Sequence, residues 1–171
     1  MIKKIGIQMT ALAGNVPDEE FERLIDRDEQ IGNKGTSRIV FAVHGRSDLV
    51  IKESHQPFHH SNFVEWTVWY AIQKMADPEI MGNEPNSELR QQFAQCFAIS
   101  HSARFLMMER LLPLELGEAQ QFIPKLPSWL NDRKPSALGK TAQGEIKVLD
   151  YGAVNFYEVL NPKNKGGGYF F

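Results

Sequence analysis

The chain has 171 residues, 42% of them hydrophobic and 23% charged, which excludes wholesale disorder and gives one domain enough material for a real core. Lys and Arg number 19 against 21 Asp and Glu, and a net charge of −2 lacks the basic excess of a protein built to hold nucleic acid. No run of about 18 apolar residues is present, so no membrane-spanning helix is expected.

Residues 1–14 are mixed and predict a lone strand or an arm. Lys3-Lys4 and the stretch after them carry a trace of a secretory leader. Gly6, Gln8 and Thr10 interrupt its short apolar run, so a cytoplasmic protein is expected. Pro17-Asp18-Glu19 opens a helix with Phe21, Leu24 and Ile25 on one face. From Ile31 to Val43 a glycine-bearing turn feeds a strand. The turn 44–48 and a return strand over 49–52 complete a hairpin, and 53–60 is expected as a loop. Asn62 to Met75 predicts a long helix, ended by Asp77-Pro78. The stretch 81–86 is turn-rich. Leu89–Ile99 and Ala103–Met108 predict two further strands, with 87–93 open to a helical reading. A short helix over 114–122, an irregular Pro-rich stretch to 138 and a strand over 145–149 follow. The single cysteine, Cys96, lies in the apolar run Phe93–Ile99. It cannot form an internal disulfide and is expected as a buried, inert thiol.

Two charges stand where charges are costly. Lys52 ends the apolar strand Leu49-Val50-Ile51. Glu65 lies three, four and seven residues before Val68, Trp69 and Ile72, on the apolar face of the long helix. Opposite charges misplaced on consecutive elements point to one ion pair; the alternative is that both tips reach water over packed stems. Gly32, Gly35 and Ser37 precede the hairpin, and a glycine turn can bring backbone N–H groups close to phosphate oxygens. Asp150 ends an apolar strand and is followed by Tyr151-Gly152, a place suited to holding a divalent cation. Asp132 lies in an irregular loop 18 positions earlier, where it could orient a hydroxyl. His55, His59 and His60 could share zinc only if their loop were helical, and Pro57 argues for a solvated loop instead. Trp66, Trp69 and Trp129 are expected in the core.

Taken in order from Ile31 to Gly152, this series resembles the protein-kinase-like fold, in a compact form similar to small kinase-related proteins of bacteria and their phages. Gly32-x-x-Gly35-x-Ser37-Arg38 resembles the glycine-rich loop, Val50-Ile51-Lys52 the strand-three lysine element and Glu65 its helix-C partner. Met107 to Leu111 resembles the last strand of the first lobe and the hinge. Asp132-Arg-Lys134-Pro resembles part of the catalytic loop, and Asp150-Tyr151-Gly152 resembles D-F-G.

The resemblance implies an α+β fold: an antiparallel N-lobe sheet with one helix C, hinged to a strongly reduced C-lobe. The boundaries would be an arm and helix over 1–30, the N-lobe to hinge over 31–112, and the reduced lobe over 113–171. It implies ATP over Gly32, Gly35 and Ser37, with its phosphates at Lys52. Met108 would be the gatekeeper, and the backbone of Glu109 and Leu111 would face adenine. Magnesium would sit on Asp150, with Asp132 and Lys134 as catalytic groups.

The departures are specific. Leu130-Asn131 stand where the family has His-Arg, and Ala137 stands where it has the Asn that binds a second metal ion. Glu109 and Asp132 are only 23 positions apart. In this sequence 19 residues follow Gly152, with no A-P-E motif. The expected function is a nucleotide-binding pseudokinase or interaction module with little or no phosphotransfer. The alternative is a minimal ATP- and magnesium-dependent phosphotransferase acting on a protein or small-molecule hydroxyl. A protein partner or a second copy is expected at the aromatics Phe156, Tyr157, Tyr169, Phe170 and Phe171, with neither nucleic acid nor membrane as a partner.

Overall fold

Alternation along two strands sets the architecture. In the computed structural model, which describes residues 12–32, 35, 37–55, 60–75, 77 and 89–155, strands β3 (Arg38–Val43) and β4 (Arg46–Ser54) pair antiparallel. Phe41 stands opposite Ile51 and Val40 opposite Lys52. Side chains alternate across a strand, so Leu49 and Ile51 face one side while Val50 and Lys52 face the other. Each side has its own cover.

Helix α1 (Asp18–Leu24) covers the first side. Phe21 stacks on Phe105 at 5.6 Å between ring centroids and packs with Ile25, Phe41, Leu49, Ile51 and Met107. Helix α2 (His60–Met75) covers the other, burying Val68, Trp69 and Ile72 against Val50, Leu106 and Met108. A sheet buried on both faces removes about 1.5–3 kcal/mol worth of apolar surface from water per large side chain, which stabilises its centre most.

The full sheet has six strands. Besides β3 and β4 it contains β1 (Gly14–Val16), β2 (Ile25–Gln30), β5 (Cys96–Ser100) and β6 (Phe105–Glu109), in the order β1-β5-β6-β4-β3-β2. It is mixed, not the expected antiparallel sheet: β1 runs parallel to β5, with Gly14 opposite Ala98. No hairpin joins those two strands, so no tight turn dictates their relative direction. From β1 the chain crosses to the opposite edge through α1, which packs on the central strand at Phe105.

Strand β2 is an element the sequence reading did not foresee. Asp26 to Gln30 carries almost no apolar residue, because an edge strand needs no second apolar neighbour and is blunted by charge. The expected loop 53–60 is also shorter: β4 continues to Ser54, whose N–H donates to the Arg104 carbonyl at 2.9 Å, and α2 begins at His60.

A short helix α3 (Leu89–Gln92) precedes β5, so the described part of 87–93 is helical over four residues and Phe93 bridges to Val148 instead. Past β6 the chain forms β7 (Leu112–Pro113), α4 (Leu116–Phe122) and two 3-10 turns, Ile123–Lys125 and Pro135–Ala137. It then makes the hairpin of β8 (Leu138–Lys140) and β9 (Ile146–Val148), and β7-β8-β9 form a second sheet. Trp69, Trp129 and Cys96 are buried, and Trp66 packs partly buried against the same core. No helix among the described residues is long and apolar enough to cross a membrane. The arm before Leu12, the stretch 81–86, His59 and the five tail aromatics lie outside the described residues.

Candidate functional site

Lys52 and Glu65 form one ion pair. Lys52 Nζ lies 3.0 Å from both carboxylate oxygens of Glu65, and both residues are buried. The solvated alternative for the two tips is therefore not what the fold adopts. Their placement follows from the two periodicities: Lys52 shares with Val50 the side of β4 that α2 covers, and Glu65 shares its helix face with Val68, Trp69 and Ile72.

The segment after β9 completes the cluster. Lys52 Nζ also donates to the Leu149 carbonyl at 2.5 Å, and the Tyr151 N–H donates to Glu65 Oε1 at 2.8 Å. An ammonium has three protons, and Glu65 with Leu149 offers partners for all of them. Asp150 thus arrives beside the pair, with its side chain partly exposed.

Arg38 occupies the remaining position. Its Nη1 donates to Glu65 Oε2 at 2.6 Å and to Asn62 Oδ1 at 3.4 Å. Its Nη2 donates to Asp150 Oδ1 and, at 3.4 Å, to Glu65 Oε1. Two cations, Lys52 and Arg38, therefore face two carboxylates, Glu65 and Asp150. Burial would push the Asp150 carboxyl up, but the charges of Lys52 and Arg38 outweigh it and hold it below the usual carboxylate range. Burial likewise opposes the charge of Arg38, while Glu65 and Asp150 raise its pKa further above the ordinary guanidinium value.

Asn62 locks the entry of α2. Its Nδ2 lies 3.2 Å from the Lys52 carbonyl, 3.1 Å from that of Ala103 and 2.8 Å from that of Arg104, so the first helical turn is tied to β4 and to the turn before β6. Arg38, at the end of the glycine-loop motif, and Asn62, at the start of the expected helix, are functional residues that the sequence alone does not single out. In the observed register Arg38 is two positions before Val40, which stands opposite Lys52, so alternation puts a third charge on the α2 side.

The other expected residues are spread around this cluster. Gly32 has a φ of +69°, a conformation that glycine adopts without strain. The Gly35 N–H closes a tight turn onto the Arg38 carbonyl at 3.0 Å, and the Ser37 carbonyl accepts the His55 N–H at 3.0 Å. Met108 is buried in the core on the α2 side. The Glu109 N–H is taken by the Gln95 carbonyl at 2.8 Å, and its carboxylate pairs with Lys147 at 2.9 Å. Leu111 packs against Gly139 so closely that a Cβ there would come within 2.6 Å of the Leu111 Cβ. Asp132 pairs with Lys134 at 2.8 Å. Against burial, and after Lys52 and Arg38, Lys134 is one of the cations that hold the Asp150 carboxyl below its usual range. The backbone joins the two aspartate loops: the Asn131 N–H donates to Ala153, and the Asn155 N–H to Trp129.

The donor set can be weighed for the two expected groups. For a nucleotide, Lys52 held by Glu65 beside a glycine turn is the appropriate chemistry. Magnesium is a poorer match at Asp150. It takes about six oxygens near 2.1 Å, of which a protein ordinarily supplies one or two carboxylates and water and phosphate the rest. Here Asp150 is already paired with Arg38, and Ala137 is buried with its carbonyl accepting the Leu149 N–H at 2.8 Å. Cys96 is inert as expected: burial pushes its thiol far up, and its Sγ lies 3.1 Å from the Tyr151 hydroxyl.

No family model and no curated protein matches this sequence. Solved structures similar to part of it include the 2.2 Å crystal structure of WbdD, at a TM-score of 0.38 and 15% identity over 74% of this chain and 32% of that one. WbdD with the kinase inhibitor LY294002 gives 0.36 and 16% over 71% and 32%. A further structure, of WbdD described as a bifunctional kinase-methyltransferase, gives 0.35 and 17% over 69% and 30%. The chain spans about a third of the length of these proteins. Overlaps this loose carry no argument about what it binds or does.

Proposed function

We infer that this chain is a kinase-like nucleotide-binding protein with little or no phosphotransfer. One observation carries the reading: Lys52 of β4, Glu65 of α2 and the backbone of Leu149 and Tyr151 meet in a single buried hydrogen-bonded cluster. The pairing of Lys52 with Glu65 supports this reading, because the sequence resemblance expects a lysine held by a helix glutamate to face nucleotide phosphates.

The nucleotide would lie over Gly32, Gly35 and Ser37, with the backbone of Glu109 and Leu111 toward its base, Met108 behind it and Lys52 toward its phosphates. Weak transfer is inferred from the metal side: Ala137 supplies no ligand atom and Asp150 is engaged by Arg38.

The test is a thermal melt with and without ATP, in the presence and absence of magnesium, on the wild type and on Lys52→Ala, together with equilibrium dialysis of ATP and a phosphate-release assay in magnesium. Ligand at 100 times its dissociation constant stabilises by about 2.7 kcal/mol, which raises the midpoint of a chain of this size by roughly 5–11 °C. The expected result is a shift in the wild type, none in Lys52→Ala, and no release of phosphate. Phosphate transfer to any acceptor would replace this reading with that of a minimal phosphotransferase. Absence of ATP binding at millimolar concentration would remove the nucleotide altogether.

A further inference from the structure

Asp150 raises a question of charge that the nucleotide reading leaves open. Its carboxylate is placed where a metal ligand is expected, yet its partner is a guanidinium. Arg38 is nine-tenths buried and cannot leave at little cost. It holds Glu65 through both of its terminal nitrogens, at 2.6 and 3.4 Å, and Asn62 through one of them at 3.4 Å. Asn62 in turn is fixed by backbone carbonyls on two other elements. Releasing Arg38 from Asp150 would free one contact of several and leave its charge in place.

A divalent ion on Asp150 would have to sit within about 2.1 Å of a carboxylate oxygen. The guanidinium already donates to that carboxylate, so the two positive centres would be near neighbours in a partly buried site, where repulsion is poorly screened. The neighbouring position offers the ion nothing, because Ala137 is fully buried and has no ligand side chain. Arginine is also the one side chain whose charge is fixed at every working pH.

We propose that Arg38 is the resident cation of this site: its guanidinium takes the place of a divalent metal at Asp150, and the nucleotide is bound without one. The inference rests on the nucleotide reading above and assigns that site its ionic requirement. The ligand class is an adenine nucleotide in its metal-free form.

The experiment is equilibrium dialysis of ATP against the wild-type chain, once in EDTA and once in millimolar magnesium, repeated with Arg38→Gln. For the wild type the dissociation constant is expected to be no smaller in magnesium than in EDTA, because magnesium draws ATP into a complex that the site does not require. For Arg38→Gln, which frees Asp150, magnesium is expected to tighten binding at least fivefold. A wild type that binds ATP tenfold tighter in magnesium overturns the inference and leaves the nucleotide reading standing. A wild type that binds ATP in neither condition overturns both, which separates the two failures. Should Arg38→Gln not fold, the wild-type comparison decides alone.

Discussion

Glu65 Oε1 accepts the backbone N–H of Tyr151 at 2.8 Å, joining helix α2 to the segment that follows β9. The same carboxylate accepts from Lys52 and Arg38, so one fully buried side chain ties three separate elements. Removing it strands two buried cations. Glu65→Ala is expected to cost about 3–5 kcal/mol, the range for breaking a buried pair on one side. Urea denaturation followed by circular dichroism measures this. A loss under about 1 kcal/mol would contradict the cluster as described.

The acid limb of stability should carry the mark of two carboxylates. Asp150 and Glu53 are both held below their ordinary range: burial works against each, and Lys52 with Arg38, or Arg27 with Arg104, outweighs it. A depressed folded pKa means that the unfolded chain binds more protons as pH falls. Their contribution is therefore fully present above about pH 5 and is lost as pH drops through roughly 4 and below. Urea midpoints taken from pH 7 down to pH 3 should fall over that window. In Asp150→Asn the fall should be shallower. An equally steep limb in the variant would show that Asp150 contributes nothing to it.

Gly152 and Gly117 should respond to alanine with opposite signs. A Cβ on Gly152 would come within 2.8 Å of the Ser61 carbonyl and 3.3 Å of Arg38 Nη2, so Gly152→Ala is expected to destabilise by about 1–3 kcal/mol. Gly117 lies within helix α4 with nothing near the place of its Cβ. Gly117→Ala should stabilise by about 0.4–1 kcal/mol through the unfolded chain. Paired thermal melts read both, and equal shifts would rule out the close packing at Gly152.

Tyr151 donates its hydroxyl to the Ala94 carbonyl at 2.7 Å and meets the Phe93 ring edge-on at 5.3 Å between centroids. Tyr151→Phe keeps the ring and removes the donor. It is expected to cost about 1–2 kcal/mol, because the carbonyl loses its partner in a dry place. Nucleotide affinity, measured by the same dialysis, should stay within twofold of wild type. A tenfold loss would mean that Tyr151 shapes the site through more than packing.

Much of this was legible in the sequence for a physical reason. Lys52 and Glu65 violate the apolar pattern of their own elements, and a violation at a buried position demands a partner. The long helix and the central hairpin each repeat their period for long enough to be read. Strand β2 was not legible, since an edge strand made of Asp, Arg, Glu and Gln has no apolar alternation to detect. The parallel pairing of β1 was hidden as well: three residues carry no directional signal, and the partner strand lies more than 80 residues further on. Arg38 escaped because a charge at the first position of a strand is ordinary. Only the register opposite Ser54 places it over Glu65.

The contacts of this cluster are far from equal in the time at which the chain can make them. Lys52 and Glu65 are 13 residues apart, whereas Lys52 and Leu149 are 97 apart and Arg38 and Asp150 are 112 apart. A ribosome adding about 5–20 residues per second delivers Asp150 roughly 6–22 s after Arg38. For that interval the emerging hairpin and helix hold two cations against one carboxylate, with an arginine at the rim still lacking its second partner. Electrical balance is thus the last thing this fold acquires. A chain halted before Leu149 has Lys52 and Arg38 but only Glu65 to balance them in this cluster.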